Sequence, residues 1–184
     1  MITFKIGDNN ELYIVDNIFA NKEGYITVDE NSLPDAVYPY YKLDENNNII
    51  VDSDRILDKA KSIKINQLEN DYNIALNCGF QFEYNNDTYL IDSSYEAQIN
   101  IIGLLLAVLL DSSFTTYFYT ADNREISLDA DGIKQLYSAG VTYKQGLVAK
   151  FHNIYDSIVN ETDVNKIITS QWDETLTVDT STTS

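Results

Sequence analysis

Ile101-Ile102-Gly103-Leu104-Leu105-Leu106-Ala107-Val108-Leu109-Leu110, a run without one polar side chain, lies inside the stretch Asp92 to Asp111 and decides how the chain around it is read. The run is well short of the roughly 20 apolar residues that span a bilayer, so it predicts a helix buried on nearly all sides rather than a membrane segment. Ser93 with Glu96 three positions later fits a capping box, in which hydroxyl and carboxylate satisfy free amides at the helix start. Asp111, Ser112 and Ser113 end the run, leaving a helix of about five turns. A helix of this kind needs neighbours on several sides.

The flanks supply them. Before the run, Asp52 or Ser53 can cap a helix in which Leu57, Ala60, Ile65, Leu68, Tyr72, Ala75 and Leu76 recur at three- and four-residue steps. Asn77-Cys78-Gly79 ends it, with Gly79 at the left-handed position past the last turn. Phe80, Phe82 and Tyr84 then alternate up to Asn85-Asn86-Asp87, and Tyr89 to Ile91 return, a hairpin signal. After the run, Phe114 to Thr120 and Arg124 to Leu128 flank Ala121-Asp122-Asn123 as a second hairpin. Asp129-Ala130-Asp131 caps the longest helix, whose apolar stripe runs from Ile133 to Val159 through about 28 residues, or ~42 Å. Gly140 and Gly146 inside it mark expected points of close packing, since glycine disfavours a helix interior by about 1 kcal/mol against alanine. Thr162 to Trp172 reads as a shorter helix with Asp163 near its start.

Residues 1 to 51 have a different grain. Thr3 to Ile6, Glu11 to Asn17, Tyr25 to Val28 and Ile49 to Val51 read as short strands, separated by Asp/Asn/Gly-rich turns. Between them, Leu33-Pro34-Asp35-Ala36-Val37-Tyr38-Pro39-Tyr40-Tyr41 places two prolines and three tyrosines together. Prolines keep this segment out of a central strand, and tyrosine, apolar in its ring and wet at its hydroxyl, suits protein interfaces. Tyr38, Tyr40 and Tyr41, with the single tryptophan Trp172, are the candidate partner-binding residues; folding of the Pro/Tyr loop over its own sheet is the alternative. The expected fold is α+β: a strand-rich N-terminal part at 1–51, a helical domain at 52–172 with two β-hairpins, a buried central helix and a long C-terminal amphipathic helix, and a flexible Thr/Ser-rich tail at 173–184.

The formal charge of −17 over 184 residues argues against nucleic acid and anionic membranes as partners, because phosphate binding needs concentrated Lys and Arg. A well-solvated acidic surface or a basic protein partner accounts for it. One cysteine and no signal-like N-terminus favour a cytoplasmic origin. Catalytic chemistry is sparse. His152, the only histidine, sits on the long amphipathic helix beside Phe151 and Tyr155, where a core-edge role outweighs catalysis. Cys78 reads as a small buried hydrophobe. Asp129-Ala130-Asp131-Gly132 departs from a calcium loop, with Ile133 at the third ligand position and Gly140 where the bidentate glutamate belongs, so it reads as a helix cap. The Asp/Asn clusters at Asp8 to Glu11 and Asp44 to Asn48 read as turns before weak calcium sites. No nucleotide-binding glycine loop and no G-x-S-x-G elbow is present. Glu83 and Asp87 are the carboxylates a glycoside-cleaving enzyme would need, but acidic pairs are easily found in a chain this rich in Asp and Glu. No cofactor or metal is expected.

Asn77-Cys78-Gly79-Phe80 before the first hairpin, Tyr95-Glu96-Ala97-Gln98-Ile99-Asn100 entering the apolar helix, and Thr120-Ala121-Asp122-Asn123-Arg124 with Ile126 and Leu128 carry a resemblance. Over about residues 56 to 172 the chain resembles the domain of unknown function found in tail modules of tailed phages and prophages, within or beside tail-fibre and tail-fibre-assembly proteins. The resemblance implies a non-enzymatic tail-fibre assembly factor or tail-associated accessory protein, with a fibre or baseplate protein as partner. A permanent structural subunit of the tail is the alternative it leaves open. It implies residence in the host cytoplasm during assembly, or in the virion tail, and it transfers no catalytic residue.

Overall fold

The computed structural model describes residues 1–15, 20, 22–36 and 38–172; the expected flexible tail at 173–184 lies outside them. The fold is α+β, a strand-rich N-terminal sheet followed by helices interleaved with two hairpins, as the apolar periodicities require. Among the described residues two compact units are distinguished, 1–64 with 161–169 and 65–160 with 170–172.

In the first unit, β1 (Ile2–Ile6), β2 (Glu11–Val15), β3 (Tyr25–Val28), β4 (Tyr41–Leu43) and β5 (Ile49–Val51) form one antiparallel sheet in the order β3-β1-β2-β4-β5. Phe4, Leu12, Tyr41 and Leu43 are its buried centre, with Leu33 and Ala36 of the Pro/Tyr segment packed on them. The segment therefore folds over its own sheet. Strand β4 has no counterpart in the expected elements. It is made possible by Asp44, whose carboxylate accepts the Asn46 and Asn48 amides at 2.8 Å each and so turns the chain into β5. The β4–β5 connection is a turn, as its Asp/Asn content predicts.

Helix α1 (Ser53–Asn77) starts at Asp52, whose carbonyl accepts the Ile56 amide at 3.0 Å, and runs on into the second unit. There β6 (Phe80–Tyr84) pairs with β7 (Asp87–Ile91), and Asn85 and Asn86 both take positive φ, the geometry a two-residue hairpin turn demands. Helix α2 (Tyr95–Leu110) follows, then the hairpin of β8 (Thr116–Tyr119) and β9 (Glu125–Leu128), then α3 (Ala130–Asn160). Inward rows from these elements, Phe80, Phe82, Ile91, Ile126, Leu128, Ile133 and Leu136, meet Ile101 and Val108 of α2 in one core. The hairpins are also tied directly: the Ala121 amide donates to the Leu90 carbonyl at 2.8 Å, and Arg124 lies over the Tyr89 ring.

Asp129 caps α3 as read, its carboxylate accepting the Gly132 amide at 2.8 Å. Gly140 packs closely, since an added Cβ would stand 3.3 Å from the Phe80 ring; Gly146 faces open space, so the expectation of close packing fails there. The last helix, α4, covers only Val164–Thr169, with Asp163 accepting the Asn165 amide at 2.9 Å as its cap. It stops short of Trp172 because no capped apolar turn follows Ile168.

Candidate functional site

Helix α2 is set in place by a polar knot at its start. Ser94, not Ser93, is the N-cap, its hydroxyl accepting the Ala97 amide at 3.3 Å, so the expected Ser93/Glu96 capping box does not form. Ser93 has a different task. Buried, it donates from Oγ to the Leu76 carbonyl at 2.6 Å and accepts the Gly79 amide at 2.9 Å, closing the end of α1. The Gln98 amide group donates back to the Ser93 carbonyl at 2.8 Å. Gly79 carries the left-handed φ of +86° that its position past α1 requires.

From this anchor α2 presents two apolar seams. Ala97, Ile101, Leu104 and Val108 turn inward, and Ile101 is only 5% exposed. Tyr95, Ile99, Ile102, Leu106 and Leu109 turn outward with the same alternating three- and four-residue spacing, and Leu106 is 55% exposed. Residues two apart on a helix point about 200° from each other, so the outward seam lies opposite the inward one. Leu110, at the C-terminal end of the outward side, is 91% exposed. Burial of the apolar run on nearly all sides is thereby corrected: the core covers one side of α2. The reason is the supply of partners. Two short hairpins and one stripe of α3 cover the inward face, and among the described residues Ile99, Ile102, Leu106, Leu109 and Leu110 on the other side stay exposed.

Full burial of a Leu or Ile side chain is worth about 1.5–3 kcal/mol, so Leu106, Leu109 and Leu110, more than half exposed, and Ile99 and Ile102, nearly so, together forgo several kcal/mol. Contiguous exposed apolar patches mark interaction surfaces. Beside the seam, a cleft of about 200 Å³ opens between α2 and α3, lined by Phe80, Ile101, Ile102, Tyr137, Val141 and Lys144. Lys144 donates across it to the Gln98 side chain at 3.2 Å. Tyr143, also at the cleft, donates its hydroxyl to the Ala75 carbonyl, and burial raises its pKa. The cleft widens the apolar surface toward α3 and presents no nucleophile–base pair.

The residues singled out from sequence fall in several places. Tyr41 is 6% exposed, its ring edge-on to Phe4 and its hydroxyl donating to the Pro34 carbonyl at 3.2 Å. It is a core residue of β4, and its place as a partner-binding residue is withdrawn. Tyr38 and Tyr40 are half-buried with ring centroids 6.4 Å apart, and the Arg55 guanidinium lies 4.5 Å over Tyr40 and 4.4 Å over Tyr13. Trp172 is half-buried within the second unit, its ring 6.4 Å from Tyr72 and under the Lys150 ammonium. The structure thus keeps Tyr38 with Tyr40 in the first unit, and Trp172 belongs to the second. Cys78 is exposed, not buried, because the chain leaves α1 there for the tight turn at Gly79. His152 is exposed on α3 beside Phe151. Glu83 and Asp87 sit exposed near the tip of the first hairpin, opposite Thr88 and Tyr84 respectively, away from the cleft.

The outward seam is hidden in the sequence because ten consecutive apolar residues conceal direction: helical periodicity marks a face only where polar residues interrupt it. One available signal was the spacing of Tyr95, Ile99, Ile102, Leu106 and Leu109, a second seam that the neighbouring elements had no surface left to cover.

Fold and surface together define an α+β protein that carries an exposed apolar helical face. Residues 59–174 match the family described as Domain of unknown function (DUF4376), and the chain belongs to that family. No curated protein matches the chain. No solved structure matches it. No helix among the described residues is long and apolar enough to cross a membrane.

Proposed function

We propose that the chain is a non-enzymatic binding module of a phage tail, a tail-fibre assembly factor or tail-associated accessory protein that holds a fibre or baseplate protein. The observation that carries the binding part of this reading is the outward seam of α2: a helix capped, anchored and half-packed, whose remaining apolar face is the kind of surface a partner protein covers. The phage-tail assignment is supported by the sequence resemblance over the helix–hairpin region. Tyr38 and Tyr40, with rings tilted against each other and Arg55 over Tyr40, offer a second contact surface of aromatic and cationic character on the N-terminal sheet unit, the composition that interfaces favour.

Co-expression with the fibre or baseplate genes of the same tail module, followed by affinity purification, tests the reading. A complex with one of those proteins is the expected result. A fibre that folds and assembles equally well without the chain, with no complex recovered, overturns it. Mass spectrometry of purified particles then separates an assembly factor, absent from the particle, from a permanent subunit present in fixed ratio.

A further inference from the structure

We propose that the outward seam of α2 is covered by the same seam of a second copy of this chain, packed antiparallel about a two-fold axis near the middle of the helix. The inference deepens the binding-module reading and rests on its claim that the seam is a protein interface. Three observations lead to it.

Ile99, Ile102, Leu106 and Leu109 are separated by steps of three, four and three residues, a spacing that reads the same from either end. Laid antiparallel on its own copy, the seam sets Ile99 against Leu109 of the other chain and Ile102 against Leu106, with every knob meeting an apolar neighbour. A self-complementary patch of this kind is what an isologous interface requires.

Gly103 stands beside the centre of that seam. It is exposed, and a Cβ added to it would meet nothing within 4 Å, so no contact among the described residues calls for a glycine there. Glycine is the poorest helix former after proline, which makes its presence mid-helix an unexplained weakness in the isolated chain. Next to the axis of an antiparallel pair it lets the two helix backbones approach closely.

The third observation is charge. In a chain of net charge −17, α2 carries a single charged residue, Glu96 in its first turn, on the same flank of the seam as Gly103 and Leu110, and the other flank holds Gln98 and Leu105. Flanking charges are what select an unlike partner along a helical seam. Glu96 at one end is the only such charge on α2, and in antiparallel pairing its two copies lie ~24 Å apart along the helix, so two acidic copies approach along this seam without placing those carboxylates opposite each other.

The test uses the full-length chain. Light scattering across the micromolar range is expected to give twice the 20.9 kDa chain mass. The dimer is expected to tighten with added salt, because screening relieves repulsion between acidic copies while the seam itself is uncharged. Leu106→Asp is expected to return the mass to that of one chain with the far-ultraviolet spectrum unchanged. Should that variant unfold, cross-linking in a Cys78→Ser background still decides the matter. Gly103→Cys is expected to form a disulfide-linked dimer under mild oxidation. Tyr95→Cys is not, since in antiparallel pairing its two copies lie ~27 Å apart along the helix at 1.5 Å per residue. A single-chain mass at every concentration overturns the proposal, as does cross-linking of Tyr95→Cys as readily as Gly103→Cys, the result of parallel pairing. A single-chain mass together with capture of a fibre protein that Leu106→Asp abolishes overturns the second copy while leaving the binding module standing. A dimer that captures no tail protein supports the seam pairing and counts against the phage-tail reading.

Discussion

The Ser93 hydroxyl donates to the carbonyl of Leu76 across 2.6 Å, binding the end of α1 to the start of α2. The same oxygen accepts the Gly79 amide, so one buried hydroxyl satisfies two backbone groups that the end of a helix leaves open. Ser93→Ala removes both partners at once. Buried backbone groups left without a partner cost about 1–3 kcal/mol, and a destabilisation of that order is expected. Urea unfolding checks it: the midpoint should fall with the slope unchanged, because the exposed area on unfolding is the same.

Glycine positions divide by what surrounds them. At Gly79 the backbone has φ +86° and an added Cβ would come within 2.6 Å of the Ile91 carbonyl oxygen, so Gly79→Ala combines backbone strain with a clash against main chain. A loss above about 1 kcal/mol is expected. At Gly146, inside α3 with open space around it, alanine gains helix propensity and meets nothing. Gly146→Ala is expected to stabilise by up to ~1 kcal/mol. Thermal melts of the two variants should therefore move in opposite directions.

Acid should act on the α3 cap. The Gly132 amide, donating to the Asp129 carboxylate, holds its pKa below the usual carboxylate range, and the Tyr84 hydroxyl assists. A group whose folded pKa lies below its unfolded value contributes fully above the unfolded value, near ~4, and its contribution is lost as pH falls through the folded pKa. Asp129→Asn keeps an oxygen for the Gly132 amide but cannot titrate. Between pH 5 and pH 3, the variant is expected to lose less stability than the parent, read as a shallower fall in unfolding midpoint.

Much of this arrangement was legible in the sequence because it is written in local chemistry. The Asn85-Asn86 turn, the Asp129 cap, the Gly79 stop and the apolar stripe of α3 each depend on residues within a few positions of one another. What escaped depends on distant contacts. Ser93 and Ser94 are chemically equivalent as caps until the end of α1 arrives to claim Ser93. Tyr41 joins a strand only because Leu12 of β2 and Val51 of β5 flank it. The two sides of α2 differ only in what the hairpins and α3 have surface to cover, a quantity set by packing and not by any local motif.

The helix sides give a direct comparison. Ile101 is 5% exposed in the core formed with Phe80 and Leu136, whereas Leu106 is 55% exposed on the opposite side. Ile101→Asp buries an unpaired carboxylate, a change that breaks marginally stable domains, since burial of an unpaired charge exceeds the ordinary destabilisation of about 0.5–3 kcal/mol. Loss of the cooperative thermal transition is expected. Leu106→Asp should retain it.

On the N-terminal unit, Tyr41 and Tyr38 separate core from surface within four residues. Tyr41 fills the sheet core against Phe4, and truncating a buried aromatic to alanine costs about 3–5 kcal/mol, so Tyr41→Ala should disrupt this unit. Tyr41→Phe loses only the bond to the Pro34 carbonyl, a change of about 1 kcal/mol. Tyr38→Ala, at a half-buried ring stacked only loosely on Tyr40, should leave the melting temperature within about 1 °C to 4 °C of the parent, as a sub-kcal/mol change implies. If the Tyr38–Tyr40 surface holds a tail protein, Tyr38→Ala lowers its recovery in affinity purification while Tyr41→Phe does not. Equal recovery with Tyr38→Ala and Tyr41→Phe would remove this surface from the interface and leave the α2 seam to account for binding alone.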